Sequence, residues 1–524
     1  MLLKYTINQS IFFQKERVKW AEQKKKKKFT YHFTYYLFFK IAMTNYYIQH
    51  YSRRYQRINF FDMNQDDLKA YYINYFPSRS VYEWLTRKRV IVPKPIAEKI
   101  KSNNESDDES DSDSELEHLT MNSMNIAANN REIAFEYASG AYGRYLTFPT
   151  YKQFYDKITN VVPNRFEIGA IYENVPKKIE NLFGSGNKAL GNKNIPLEKE
   201  FVFDIDMDDY DPYRTCCSGS QICDSCWSIF INCAVEILST VLYEYFNWNN
   251  FFFVYSGRRG LHLWIMDYEA RTLGDNERTK VMDFLNLCKN RNCETRLNTN
   301  NGNTCLSRPL NPFIEDSLSI TAKYFNDLLE KQDPFKETKD VRKILSTQFP
   351  DVTNQLNTYF MTNNGQSSTS KWMAVNDIYL KHMQTKLGRN YNDTKEKNKL
   401  LEQKEEVLLK YLYPKFDTEV SKKIGHLLKS PFCIHPGTGN VCVPIHISYQ
   451  EKLDSKPISK SISKFSPSTC PNMKSLSKES DYFEYVNLFD EFLKHYLNLE
   501  EQRYDFEHSL KKTKVSSKQN DLSW

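Results

Sequence analysis

The stretch Glu200–Asp211, EFVFDIDMDDYD, decides how the chain is read. Phe201, Phe203 and Ile205 alternate with Val202, Asp204 and Asp206, the period of a short β-strand in which side chains two apart share a face. Such a strand sets Asp204 and Asp206 side by side with three apolar side chains behind them. Two carboxylates held so close repel unless cations stand between them, and divalent magnesium or manganese takes oxygen ligands. The same letters also fit a strand end running into an acidic turn, because Asp208, Asp209 and Asp211 follow at once.

Working outward, the 524 residues suffice for two or three domains, and 40% hydrophobic with 15% aromatic residues can build a sizeable core. The formal charge of +7 and the pI of about 8.6 are compatible with a nucleic-acid partner, although acidic and basic residues nearly balance. Eleven cysteines in a chain of this size do not suggest a disulfide framework. Four of them, Cys216, Cys217, Cys223 and Cys226, form CC-x5-C-x2-C directly after the acidic strand. Thiolates suit zinc, and four of them make a closed, structural site, so this cluster points to one zinc and a reducing compartment. No run of about 18 or more apolar residues is present, and no membrane span is expected.

Residues 1–62 resemble no compact domain and read as a low-complexity extension, with Met43 or Met63 as alternative starts; Lys24–Lys28 also fits a nuclear localisation patch. From Asp67, helical spacing of Leu68, Tyr71, Tyr72 and Tyr75 stops at Pro77, and Val81, Trp84 and Leu85 mark a second helix. The Asp/Ser/Glu run at 103–118 is a solvated insert. Arg131–Phe148 reads as two strands around Ser139–Gly140, with Glu132 at the head of the first and Tyr142 and Arg144 on one face of the second. Trp227–Phe246 reads as a long apolar-periodic helix. Phe251–Tyr255 and Leu261–Met266 read as strands joined by Ser256-Gly257-Arg258-Arg259-Gly260. That turn gathers two guanidiniums, a hydroxyl, glycine amides and the neighbouring His262, a set that matches phosphate oxygens and equally fits a basic hairpin tip in solvent. The expected organisation is a core of strands and helices over 63–270, a helical subdomain over 271–413 with an Asn-rich insert, and a return to the core over 414–445. There His426-Leu427-Leu428-Lys429 reads as a helix end and Val441–Val443 as a strand. A linker over 446–480, a helix over 481–508 and a polar tail over 509–524 complete the chain.

Together YYINYFPSRSVYEWL, REIAFEYASGAYGRY, EFVFDIDMDDYD, CC-x5-C-x2-CW, VYSGRRGLHLW and the pair KFDTEVSK and HLLKSPFCIHP resemble the small, catalytic subunit of eukaryotic DNA primase, in the archaeo-eukaryotic primase superfamily. The resemblance spans roughly 65–445 and implies an α+β fold: a mixed-sheet catalytic core with an inserted helical subdomain and a small zinc-binding motif. It implies a nucleotidyltransferase that makes short RNA primers from NTPs on single-stranded DNA. Asp204, Asp206 and Asp417 would hold two magnesium or manganese ions, with Glu132 beside them among the catalytic carboxylates. Glu132, Tyr142 and Arg144 would line the nucleotide site. Ser256, Gly257, Arg258, Arg259, Gly260, Leu261 and His262, with Lys429 and His435, would hold the triphosphate, and His426, Leu427 and Leu428 would lie beside sugar and base. Cys216, Cys217, Cys223 and Cys226 match the family's zinc ligands. The implied partners are a primase large subunit, the DNA polymerase alpha assembly of the primosome, template DNA and the RNA–DNA duplex; the implied location is the nucleus. Glu167 departs from the pattern, for the family usually has Asp there as a ribose contact. A related primase-polymerase using dNTPs and a non-catalytic zinc-bearing nucleic-acid-binding subunit are the alternatives.

Overall fold

A computed structural model describes residues 63–90, 127–176, 194–287, 306, 308–336, 348–388, 394–447 and 465–520. The N-terminal extension, the acidic insert, the Asn-rich insert and residues 521–524 lie outside the described residues. The fold is α+β, but its strands form two antiparallel sheets and not one mixed sheet. The first sheet has the order β2 (Tyr142–Leu146), β1 (Arg131–Glu136), β3 (Arg165–Tyr172), β4 (Pro196–Glu198), with β8 (Leu428–Lys429) also on β3. The second has the order β5 (Phe201–Asp206), β7 (Gly260–Ile265), β6 (Phe251–Tyr255), β9 (Pro444–Ile447). The antiparallel pairing follows from the connections. β1–β2 and β6–β7 are hairpins, and the helix Tyr151–Val161 returns the chain to the free edge of β1.

Local sequence explains the element ends. Thr150 and Gln153 form a reciprocal capping box on the Tyr151–Val161 helix, and Asn311 caps the Pro312–Gln332 helix with proline in its first turn. The segment Trp227–Phe246 opens with a π-turn over Trp227–Ile231 before the α-helix Asn232–Glu244. Asp224–Glu244 is long and apolar enough to cross a membrane by length and composition, yet most of it is buried inside the fold as a core helix.

Three stretches differ from the sequence reading. His426–Lys429 does not end a helix. β4 meets β3 only at Ile171 and Tyr172, so the backbone of Glu167 and Ile168 is left to pair with Lys429 and Leu428 of β8. Val441–Val443 makes only an isolated bridge from Val441 to Ile434, and the strand starts at Pro444, where a proline needs no ladder donor. The end of the linker docks: Phe465 is buried against Trp227 and Tyr255, with ring centroids 5.3 and 5.2 Å away. The last helix runs Tyr482–Asn520, past residue 508.

Trp84 joins the layers. Its ring packs edge-on against Trp264 at 5.2 Å, Phe252 at 5.8 Å and Phe489 of the last helix at 6.2 Å. Phe489 also meets Phe432 at 5.4 Å. Phe489→Ala is therefore expected to cost about 3–5 kcal/mol in a urea melt. Phe506→Ala, on the exposed part of the same helix, is expected to change stability by no more than about 0.5 kcal/mol. Equal losses would mean that the helix is not docked through Phe489.

Candidate active site

β5 and β7 pair with Asp204 opposite His262 and Asp206 opposite Gly260, so the acidic strand end meets the Ser256–Gly260 turn. Asp417 arrives from the other end of the helical subdomain. Its N–H donates to the Asp204 carbonyl at 3.0 Å, and its carboxylate caps the Thr418–Lys422 helix by accepting from Glu419 N at 3.1 Å. Ser421 Oγ donates to the Val202 carbonyl at 2.6 Å, so the short helix is stitched along β5. Burial first, then Asp206 and Asp417, push the Asp204 carboxyl up to about 7. Asp208 and Asp209 are also raised, by burial and then by neighbouring carboxylates. Arg259 offsets part of this charge. It grips Asp206 with both arms, Nε–Oδ1 at 2.6 Å and Nη2–Oδ2 at 2.9 Å, and reaches Asp208 at 2.7 Å.

The turn itself is shaped by its backbone geometry and by close packing against the His435–Cys442 segment. Gly257 has φ +86°, and a Cβ there would lie 2.6 Å from His435 Cβ and 3.1 Å from Cys442 Sγ. Ser256 Oγ accepts from Gly260 N at 2.9 Å, Thr438 Oγ1 donates to Gly257 O at 2.7 Å, and Lys429 Nζ donates to Ser256 O at 2.5 Å. His262 and His435 stand here too, but not as cations: burial and then Lys429 push them down to about 3 and about 2. His435 Nδ1 accepts from Gly437 N at 3.1 Å, which leaves its proton on Nε2. Arg258 makes no ion pair among the described residues. Low-dielectric surroundings thus leave the two imidazoles of the expected triphosphate set neutral.

A third group sits on the first sheet. A cavity of ≈ 390 Å³ is lined by Tyr142, Arg144, Glu167, Lys423, Gly425, His426 and Leu427. Glu132 lies behind it, fully buried, accepting from Arg144 Nε at 2.8 Å, Arg144 Nη2 at 3.1 Å and Tyr172 OH at 3.1 Å. Its carboxylate is thus committed to holding Arg144, on a different sheet from Asp204 and Asp206. Glu167 accepts from Tyr142 OH and pairs with Arg165 at 3.4 Å. The side chains of Leu261 and Leu428 are buried core positions, so of the expected nucleotide residues these two contribute packing. Sequence reasoning missed Lys423, Tyr172, Asp208 as an arginine partner, and Arg165. Only Asp208 carried a signal, its place in the acidic run.

The four clustered cysteines converge, with all ligand atoms within 4.8 Å of one another. Cys223 Sγ and Cys226 Sγ are 3.8 Å apart, and tetrahedral zinc with Zn–S of ≈ 2.3 Å sets sulfurs about 3.8 Å apart, so the cluster fits zinc. Arg214 braces this loop, donating to Asp211 at 2.7 Å, Gly219 O at 3.0 Å and Gln221 O at 2.9 Å. The last aspartate of the acidic run therefore anchors the cysteine loop and is not spare charge for the carboxylate group.

Comparison with known proteins agrees with this arrangement. The family described as DNA primase small subunit matches residues 203–447. The DNA primase small subunit of Saccharomyces cerevisiae is 38% identical over 389 residues, 74% of this chain and 82% of the relative. That of Schizosaccharomyces pombe is 36% identical, covering 67% of this chain and 71% of the relative. That of Drosophila melanogaster is 31% identical, covering 84% and 85%. With identity at this level over most of both chains, and with Asp204, Asp206, the glycine-arginine turn and the cysteine loop inside the matched region, the chain belongs to the DNA primase small subunit family.

Proposed function

We propose that the chain is the catalytic subunit of a primase that synthesises RNA primers on single-stranded DNA from NTPs. The observation that carries this reading is the convergence of Asp204, Asp206 and Asp417 beside the Ser256–Gly260 turn, with its two arginines and Lys429. Burial, and then the neighbouring carboxylates, raise Asp204 and mark a place short of positive charge, which two magnesium or manganese ions would supply; such ions would lower the pKa of a primer 3′-OH and stabilise charge as pyrophosphate leaves. The chain's own groups do the rest. Asp204, Asp206 and Asp417 would hold the ions. The backbone of the Ser256–Gly260 turn, Arg258, Lys429 and the Nε2–H of His435 orient the triphosphate, and Arg259 is released from Asp206 to join them. Arg144, fixed by Glu132, and the His426–Leu427 segment flank the nucleoside, with Glu167 and Tyr142 toward the sugar. An A-form RNA–DNA duplex is held by shape and backbone, which suits priming at any sequence. In this reading the chain works in the nucleus with a primase large subunit and a DNA polymerase alpha assembly, and the cysteine cluster holds one structural zinc.

The decisive test is labelled ribonucleotide incorporation on unprimed single-stranded template, with NTPs against dNTPs, for the wild type and Asp204→Asn. The variant is expected to lose nearly all synthesis while retaining template binding. Its fold is expected to gain: in metal-free buffer at pH 8, removing a crowded carboxylate stabilises by about 1–2 kcal/mol. The sign is fixed by the raised pKa. Ionising Asp204 costs folded stability as pH climbs from its unfolded value toward about 7, so the advantage fades below about pH 4, where both forms are neutral. Substantial synthesis by Asp204→Asn would mean that the acidic strand is only a turn.

Gly257→Ala is expected to raise the apparent KM for all four NTPs alike, by about tenfold or more, since the turn meets phosphates and not bases. A base-selective effect would place the base at this turn instead. Protein prepared in metal-free buffer is expected to carry about one zinc per chain by elemental analysis, and Cys226→Ser to lower both zinc content and melting temperature. Full stability without zinc would remove the structural role.

A further inference from the structure

We propose that Lys199 is a positioning residue, holding the His426–Leu427 wall of the cavity by a hydrogen bond from Nζ of its buried side chain to the His426 carbonyl. The inference rests on the reading of that cavity as the nucleoside site.

Lys199 stands between β4 and β5 and is 0% exposed. Its main chain is pinned on both sides: its N–H donates to Arg271 O at 3.0 Å, and its carbonyl accepts from Arg278 Nη2 at 2.5 Å. An ammonium buried here costs several kcal/mol unless it is compensated, and an apolar side chain of the same length would fill the space without that cost. Stability alone therefore gives no reason for lysine at this position. What it meets supplies one. The β8 ladder starts at Leu428, so His426 and Leu427 approach the cavity without strand partners, and His426 N bonds back only locally to Lys423 O at 3.0 Å. Leu427 lies flat on β3: a Cβ added at Gly169 would be 2.8 Å from Leu427 Cδ2 and 2.9 Å from Glu132 Cβ. Gly169 admits the wall from one side and Lys199 draws it in from the other, opposite Tyr142, Arg144 and Glu167. Burial and then Arg278 draw the lysine's proton affinity down to about 7, with Glu200 opposing.

The test uses the full chain with Lys199→Met, Lys199→Gln and, as a control on the cavity, Arg144→Ala. Steady-state NTP incorporation is measured beside hydrogen exchange of the amides at 424–428. Lys199→Met is expected to raise KM for every NTP about tenfold, leave kcat within about twofold and speed exchange of that segment. Lys199→Gln keeps an N–H donor on a shorter side chain and is expected to raise KM by about two- to fivefold, less than Lys199→Met. An unchanged KM in Lys199→Met, with Arg144→Ala raising it, overturns the proposal and leaves the cavity reading intact. An unchanged KM in Arg144→Ala overturns the cavity reading itself. If Lys199→Met does not melt cooperatively, Lys199→Gln decides: exchange and KM rising together, by about two- to fivefold, supports the proposal, and faster exchange at unchanged KM overturns it.

Discussion

Like charge crowded at one strand end is the constraint on which this structure turns. Two carboxylates about 4 Å apart repel by about 4 kcal/mol at the effective dielectric of a protein surface. β5 holds Asp204 and Asp206 together because its other residues are locked in the core, Phe203 against Phe416 and Phe201 against Trp248. Asp417 is then tied to the same strand through its own backbone. The surroundings answer in two ways. Arg259 lies across Asp206 and Asp208 as an internal counter-ion, and the nearby imidazoles are kept neutral, so they add no second set of charges to be managed. The arginine's hold also means that a cation entering at Asp206 must displace a side chain already making two good bonds.

Much of this was legible in the residues. The alternation in FVFDID gives β5 and its polar face, SGRRG between two apolar runs gives the β6–β7 hairpin, and CC-x5-C-x2-C gives the thiol cluster. Each is a local pattern with a fixed period or spacing. What stayed hidden depends on partners far along the chain. β8 is two residues long, too short for any periodicity, and exists because β3 has an unpaired edge some 260 residues earlier in the chain, at Glu167 and Ile168. The neutrality of His262 and His435 comes from burial beside Lys429, which no spacing reveals. Glu132 illustrates an intermediate case: its pairing with Arg144 follows from a hairpin visible in sequence, whereas its complete burial and its bond to Tyr172 do not.

Behind the site lies a second network of charge, wholly structural in its contacts. Arg131 forks onto Glu200, Arg87 reaches Glu198 at 2.6 Å, and Arg271 binds Glu500 of the last helix at 2.9 and 3.0 Å. Against the burial that would raise it, Arg131 and Arg87 hold Glu200 down to about 2. Buried ion pairs gain little net stability over apolar packing, but losing one member leaves an uncompensated charge. The network therefore specifies one seat for the C-terminal helix, and it does so within two residues of the strand that carries the carboxylates.

The two-residue strand β8 has a consequence for how a ligand is shared. It pairs with β3 of one sheet, while Lys429 at its end bonds to Ser256 at the turn of the other. On the proposed reading, a nucleotide lies across that same seam, nucleoside against the first sheet and phosphates against the second. Each half of the ligand is then a weak binder tethered to another, and the whole molecule is held by the effective concentration of one half at the second site. On that reading, breaking the bond between the α- and β-phosphates ends the linkage between the two sites, so pyrophosphate and the newly joined nucleotide each become easy to release. On the proposed reading, the molecule would gain tight hold of its substrate and loose hold of its products from the same geometry, a chelate that undoes itself by reacting.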